Sequence, residues 1–155
     1  MTNHKNILEL GRAGELVVID LLESLGLGLH IRDMYLENKY DREKDILVDG
    51  KYRVEVKTQA PFVKMDAFTF LPNQVTKCTS ADVLYFVSVP HPTWNHFSDG
   101  WIYRAVPSEM KYHPWKDRWG KERIIIPIKQ EALVPVAKMA EEKSKELQQL
   151  LSTMY

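Results

Sequence analysis

The chain has 155 residues, 45% hydrophobic and 27% charged, with seven Gly and eight Pro, a composition that excludes a disordered or collagen-like polymer and suits one domain with a single core. Its 21 Lys and Arg cancel 21 Asp and Glu, so no global positive field marks a nucleic-acid binder. The lone Cys78 excludes an internal disulfide or a CxxC zinc site, and with no secretory leader pattern and no apolar run of bilayer length, a reducing setting inside the cell is expected.

Residues 1–60 hold 9 basic and 11 acidic groups against 12 and 10 in residues 61–155, so acids gather early in the chain. Residues 7–25 are predicted to form a helix, because Gly11, Gly14, Glu15, Val18, Leu22 and Leu25 recur at spacings of three or four, with Ile19 beside them. Glu15 thereby sits on the face that packs, and Gly26-Leu27-Gly28 ends the helix. At Gly11 and Gly14 the expectation is tight helix–sheet packing rather than close approach of a nucleic-acid backbone. Residues 29–36 offer a first strand. Residues 45–48 and 51–57 flank Asp49-Gly50, a dipeptide that tolerates positive φ and favours a tight hairpin.

Residues 60–80 resist assignment apart from a short helix over 73–77. The near-continuous apolar run 81–89 predicts a central strand, and residues 100–106 and 123–128 two more, the latter with Pro127 at its end. Pro135 is predicted to open a last helix whose stripe is Val136, Met139, Ala140, Lys143, Leu147 and Leu150. A helix, a run of strands and a closing helix predict an α/β or α+β fold with helices layered on a sheet.

The segment from Asp45 to Lys57 carries the chemistry. A hairpin brings its arms to about 4.8 Å, so carboxylates on Asp45 and Glu55 can share one divalent cation at oxygen distances of about 2.1–2.5 Å. Along the second arm, a period of two puts Arg53, Glu55, Lys57 and Gln59 on one face and Val54 and Val56 on the other. Hydrolysis of a phosphodiester, already anionic, needs a cation to neutralise further charge and a group to orient or deprotonate water. Lys57 can serve as that base or as an electrostatic clamp. The competing reading makes Glu55 and Lys57 an exposed cross-strand charge pattern and Glu15 a boundary carboxylate paired with an arginine. Gln59 is either a phosphate or water contact or a strand-end polar group. Asp41 and Glu43 are weaker candidates for the first acid.

These residues resemble the PD-(D/E)XK nuclease superfamily: Asp45 matches the first acid, Glu55-Val56-Lys57 matches (D/E)xK, and Glu15 matches the helical acid, while Lys44 stands where the motif's proline would be. The likeness covers roughly residues 11–59. It implies a restriction-endonuclease-like core with a mixed central sheet of about five to six strands flanked by helices. It further implies a restriction-like, homing or junction-resolving endonuclease using Mg²⁺, for which Mn²⁺ substitutes. In that scheme Asp45, Glu55 and auxiliary Glu15 are ligands, Lys57 is the catalytic amine, and Gln59 assists. Double-stranded or branched DNA is the implied substrate. Cutting two strands needs two sites, which a homodimer supplies through the C-terminal helix or residues 111–123.

Residues 111–123 carry five Lys or Arg against two acids, with Tyr112, Trp115 and Trp119 interleaved. Lys111, Lys116, Arg118, Trp119, Lys121 and Arg123 are therefore candidate nucleic-acid contacts, cations for phosphates and rings for unpaired bases. The alternative is a solvated loop pinned to the core by its tryptophans. His91 and His96, without further ligands nearby in sequence, read as loop or substrate-contact residues rather than a zinc site. The competing function classes are a non-catalytic nucleic-acid-binding or assembly subunit and a structural interaction module.

Overall fold

A computed structural model describes residues 4–37, 45–62, 66–91 and 100–153. Helix α1 (His4–Ser24) leads to the short strand β1 (Ile31–Asp33) and the single turn α2 (Met34–Glu37). The hairpin β2 (Ile46–Val48) and β3 (Tyr52–Gln59) follows, then β4 (Ala67–Phe70), helix α3 (Pro72–Thr79) and strand β5 (Val83–Ser88). Strands β6 (Trp101–Ala105), β7 (His113–Lys116), β8 (Glu122–Pro127) and β9 (Val134–Lys138) precede the closing helix α4 (Glu141–Ser152). This is an α+β architecture: a six-stranded sheet in the order β1-β2-β3-β5-β6-β9, parallel at β3–β5 and antiparallel elsewhere, beside a three-stranded antiparallel sheet β4-β8-β7. No described helix is long and apolar enough to cross a membrane.

The central strand β5 shows why the layers form. Tyr85 and Val87 join the core under α1 and α4 with Val18, Leu22, Val54 and Leu147, whereas Leu84 and Phe86 point the other way, into a second core with Phe68, Phe70 and Ile126. A strand apolar on both faces must be covered on both, at a gain of about 1.5–3 kcal/mol for each large side chain fully buried. Phe86 stacks on Phe68 with ring centroids 4.4 Å apart, which locks the smaller sheet to the larger. Along β3 the same alternation sends Val54 and Val56 to the α1 core and leaves Glu55 and Lys57 facing the α3 and β4 side.

Several expectations change. Val134–Lys138 is an edge strand paired with β6, and α4 begins only at Glu141. Pro135 lacks an N–H, which an edge strand does not miss, and it pairs opposite Tyr103 where the register shifts. The apolar stripe of α4 is used internally: Leu147 and Leu151 are buried in the core that also takes α1, so this face is not available to a second copy. The predicted strand over 29–36 is three residues followed by α2, and residues 111–123 form the β7–β8 hairpin rather than a loop. Leu25, predicted on the packed face of α1, is exposed because the helix has ended at Ser24.

Candidate active site

The β2–β3 hairpin sets the two acids. Asp49 and Gly50 both take positive φ, 54° and 70°, and the arms pair Ile46 with Val54, so Asp45 lies one step outward at the level of Glu55. Asp45 Oδ2 accepts a 2.8 Å hydrogen bond from the backbone N–H of Val56, and its carbonyl accepts one from Met34 at 3.2 Å, which ties it to both β3 and α2. Glu55 is 3% exposed and its Oε1 has no hydrogen-bond partner. Burial, then the neighbouring Asp45 charge, push the Glu55 carboxyl up to about 9, against the pull of Lys77.

Lys57 lies on the same face of β3, its ammonium donating to Gln74 Oε1 at 3.3 Å and standing 5.4 Å from the centre of the Phe70 ring. Burial holds its pKa below the usual lysine value. A second lysine, not expected from the sequence, comes from α3: Lys77 Nζ is 3.5 Å from Glu55 Oε2 and 3.7 Å from Asp45 Oδ1. Burial alone would lower the Lys77 pKa, yet Asp45 and Glu55 together raise it. Gln74, Lys77 and Cys78 stand at i, i+3 and i+4 and so turn toward the Glu55–Lys57 row together. The Cys78 thiol is buried among these groups and pushed up to about 11, which makes it a poor nucleophile.

Glu15 approaches from α1. Gly14 admits the contact: a Cβ there would lie 1.7 Å from Thr58 Oγ1 on β3, so only glycine lets the helix sit this close, whereas Gly11 faces open space. Glu15 Oε1 accepts from Arg12 at 3.1 Å, and Arg12 also grips Asp33 through both its terminal nitrogens while lying over the Tyr35 ring. Burial and the Asp45 charge raise Glu15 to about 7 against the pull of Arg12. Glu15 is thus arginine-paired and within the field of Asp45. Among the described residues, no three His, Cys, Asp or Glu side chains group as metal ligands.

Gln59, on the same row of β3, is spent elsewhere: its Nε2 donates to the Thr69 carbonyl at 3.0 Å and its Oε1 accepts from the Thr69 N–H at 2.8 Å, joining β3 to β4. With both ends of the amide engaged it contacts backbone rather than the Asp45–Glu55 pair. Asp41, Glu43 and Lys44 lie outside the described residues, as does His96, while the His91 carbonyl accepts from Gln148 of α4. Asp45 and Glu55 fit a hard cation: two adjacent carboxylates, a buried oxygen without a partner, and an ammonium already between them.

The β7–β8 hairpin carries the predicted contact residues. Asp117 Oδ1 accepts from the N–H groups of Trp119 and Lys121, both at 2.9 Å, and so shapes the tip. Trp119 is 81% exposed with the Arg118 guanidinium 5.3 Å from its ring, and Lys111, Lys116 and Lys121 are also exposed. Arg123 is half-buried and turned to Asp117 at 3.7 Å. Trp115 rests on Phe62, and the Tyr112 hydroxyl donates to the Pro107 carbonyl, so two of the three rings are held by the protein and one is presented to solvent.

Compared with protein-family models, curated proteins and solved structures, the chain matches none of them.

Proposed function

We propose that this chain is a Mg²⁺-dependent endonuclease that hydrolyses DNA phosphodiester bonds at a PD-(D/E)XK-type site, inside the cell and as a homodimer where both strands are cut. The observation that carries the reading is the buried Glu55, with an unpartnered oxygen, beside Asp45 and on the same strand face as the desolvated amine of Lys57. Ionising an acid this buried is costly unless a cation attends it. Asp45 and Glu55 would hold the ion, which supplies positive charge against the phosphate. Lys57, held by Gln74, would take a proton from the attacking water when neutral or, while charged, clamp a phosphate oxygen. Glu15, paired with Arg12 on α1 and within the field of Asp45, would be an auxiliary group. The β7–β8 hairpin supplies exposed cations for the backbone and Trp119 for an unpaired base.

A second reading, a non-catalytic nucleic-acid-binding subunit, is favoured by the Lys77 bridge across the acids and by the lack of a third grouped ligand among the described residues. Supercoiled, linear, single-stranded and branched DNA incubated with the protein in Mg²⁺ or Mn²⁺ separates the two. The nuclease reading expects cleavage that Lys57→Ala and Glu55→Ala abolish. DNA shifted on a gel but never cut supports the second reading, and cleavage indifferent to both substitutions defeats the first.

A further inference from the structure

We propose that Lys77 is a built-in counter-ion of the Asp45–Glu55 pair: its ammonium occupies the cation position until a divalent ion displaces it, so Lys77 sets both the affinity of the site and its preference for divalent over monovalent ions. This rests on the reading that the pair holds a metal.

The geometry is lopsided in a way that suits displacement. The acceptors are fixed and dry, Glu55 with a side chain 3% exposed and Asp45 with 13%, whereas the Lys77 side chain is 41% exposed and has a way out to solvent. Two adjacent carboxylates stripped of water need a neighbouring cation or a retained proton, and among the described residues the ion pairs of both are with Lys77. Lys57, although closer to them in sequence, points to Gln74 and Phe70 instead. The two lysines thus divide the work: Lys77 offsets part of the charge of the acids, and Lys57 is left for the reacting groups.

Selectivity follows from charge and tethering. Na⁺ or K⁺ offers no more charge than the ammonium and must compete with a group held permanently nearby, at an effective concentration on the millimolar scale or above. A divalent ion brings twice the charge to the same two carboxylates, and the flexible four-carbon stem lets Lys77 swing outward.

The test is Mn²⁺ titration of the full chain by calorimetry, with wild-type, Lys77→Met, Lys77→Gln and Lys77→Arg protein, alongside thermal melts in EDTA. If the pair is free of Lys77 about one-tenth of the time, both neutral variants bind Mn²⁺ about tenfold more tightly than wild-type and melt lower in EDTA. Lys77→Arg keeps the charge and binds no more tightly than wild-type. Lys77→Gln retains a donor to the carboxylates and so reports if Lys77→Met fails to fold. Neutral variants that bind Mn²⁺ no more tightly than wild-type overturn the counter-ion role while leaving the metal site standing. Absence of Mn²⁺ binding to every protein overturns both.

Discussion

Asp45 Oδ2 accepts a hydrogen bond from the backbone N–H of Val56, the residue between Glu55 and Lys57, so the first acid is tied directly to the strand that carries the other two groups. That bond separates two roles of one side chain. Asp45→Asn keeps an oxygen able to accept from Val56 and loses the charge, so it should lower cleavage at least about 100-fold while costing under about 1 kcal/mol of stability. Asp45→Ala should lose both, with a further loss of about 1–2 kcal/mol measurable by urea denaturation. Equal cleavage by Asp45→Asn and wild-type protein would remove Asp45 from the site.

Glu55 makes the metal-free protein sensitive to pH. Its carboxyl titrates at about 9 in the folded chain against 4.5 ordinarily, so folding takes up a proton between those values. Stability in EDTA is therefore full below about 4.5 and falls as the pH rises toward 9. Glu15 adds to the fall between 4.5 and about 7. Lys57 has the opposite sign, gaining stability as the pH rises from its lowered value toward about 10.4. Glu55→Gln should flatten the curve and, at pH 8, exceed wild-type stability by roughly 1–2 kcal/mol, since an amide needs no proton to be buried whereas the unfolded glutamate is ionised there and must take one up to fold. Parallel curves for the two proteins, followed by thermal melts across this range, would contradict the assignment.

Gly14 should tolerate no side chain. A Cβ would lie 1.7 Å from Thr58 Oγ1 and 2.8 Å from Thr58 Cβ, so Gly14→Ala must push α1 off β3 and carry Glu15 with it. A loss of about 1–3 kcal/mol is expected. Thr58→Ala removes the hydroxyl that would clash, itself buried without a partner, and should recover part of that loss in the double variant. A double-mutant cycle with no coupling between the two positions would show that the close approach is not what Gly14 provides.

Trp119 should matter to DNA and not to folding. Being 81% exposed, it can be replaced by Ala with a stability change within about 0.5 kcal/mol. Affinity for single-stranded DNA should fall by about 1–3 kcal/mol if a base stacks there, read as fluorescence anisotropy of a labelled oligonucleotide. Replacing Lys116, Arg118 or Lys121 should instead lower the slope of log affinity against log salt, by about 0.7–0.9 for each phosphate that is no longer neutralised. An unchanged affinity for Trp119→Ala would move the binding surface elsewhere.

The parts of this site that lie along one strand are legible in the sequence, and the parts that need a second element are not. A period of two puts Glu55 and Lys57 on one face whatever surrounds them, and Asp49-Gly50 fixes the hairpin that brings Asp45 alongside. The same row includes Gln59, but its capture by the Thr69 backbone depends on β4, a strand hidden in a mixed apolar and polar stretch. Lys77 escapes notice in the sequence because its importance comes from where α3 docks. The available signal is Gln74, Lys77 and Cys78 sharing one helix face. The strand at Val134–Lys138 reads as part of the closing helix because Val136, Met139 and Ala140 also fit helical spacing, and Pro135 suits a helix start as well as an edge strand.

The most direct test of a metal site at Asp45 and Glu55 is a crystal of the chain soaked in Mn²⁺ and measured for anomalous scattering. One strong peak is expected between the two carboxylates, at about 2.0–2.3 Å from their oxygens, with Lys77 withdrawn toward solvent. A saturated soak that leaves no peak there, with Lys77 still bridging Asp45 and Glu55, would contradict the site.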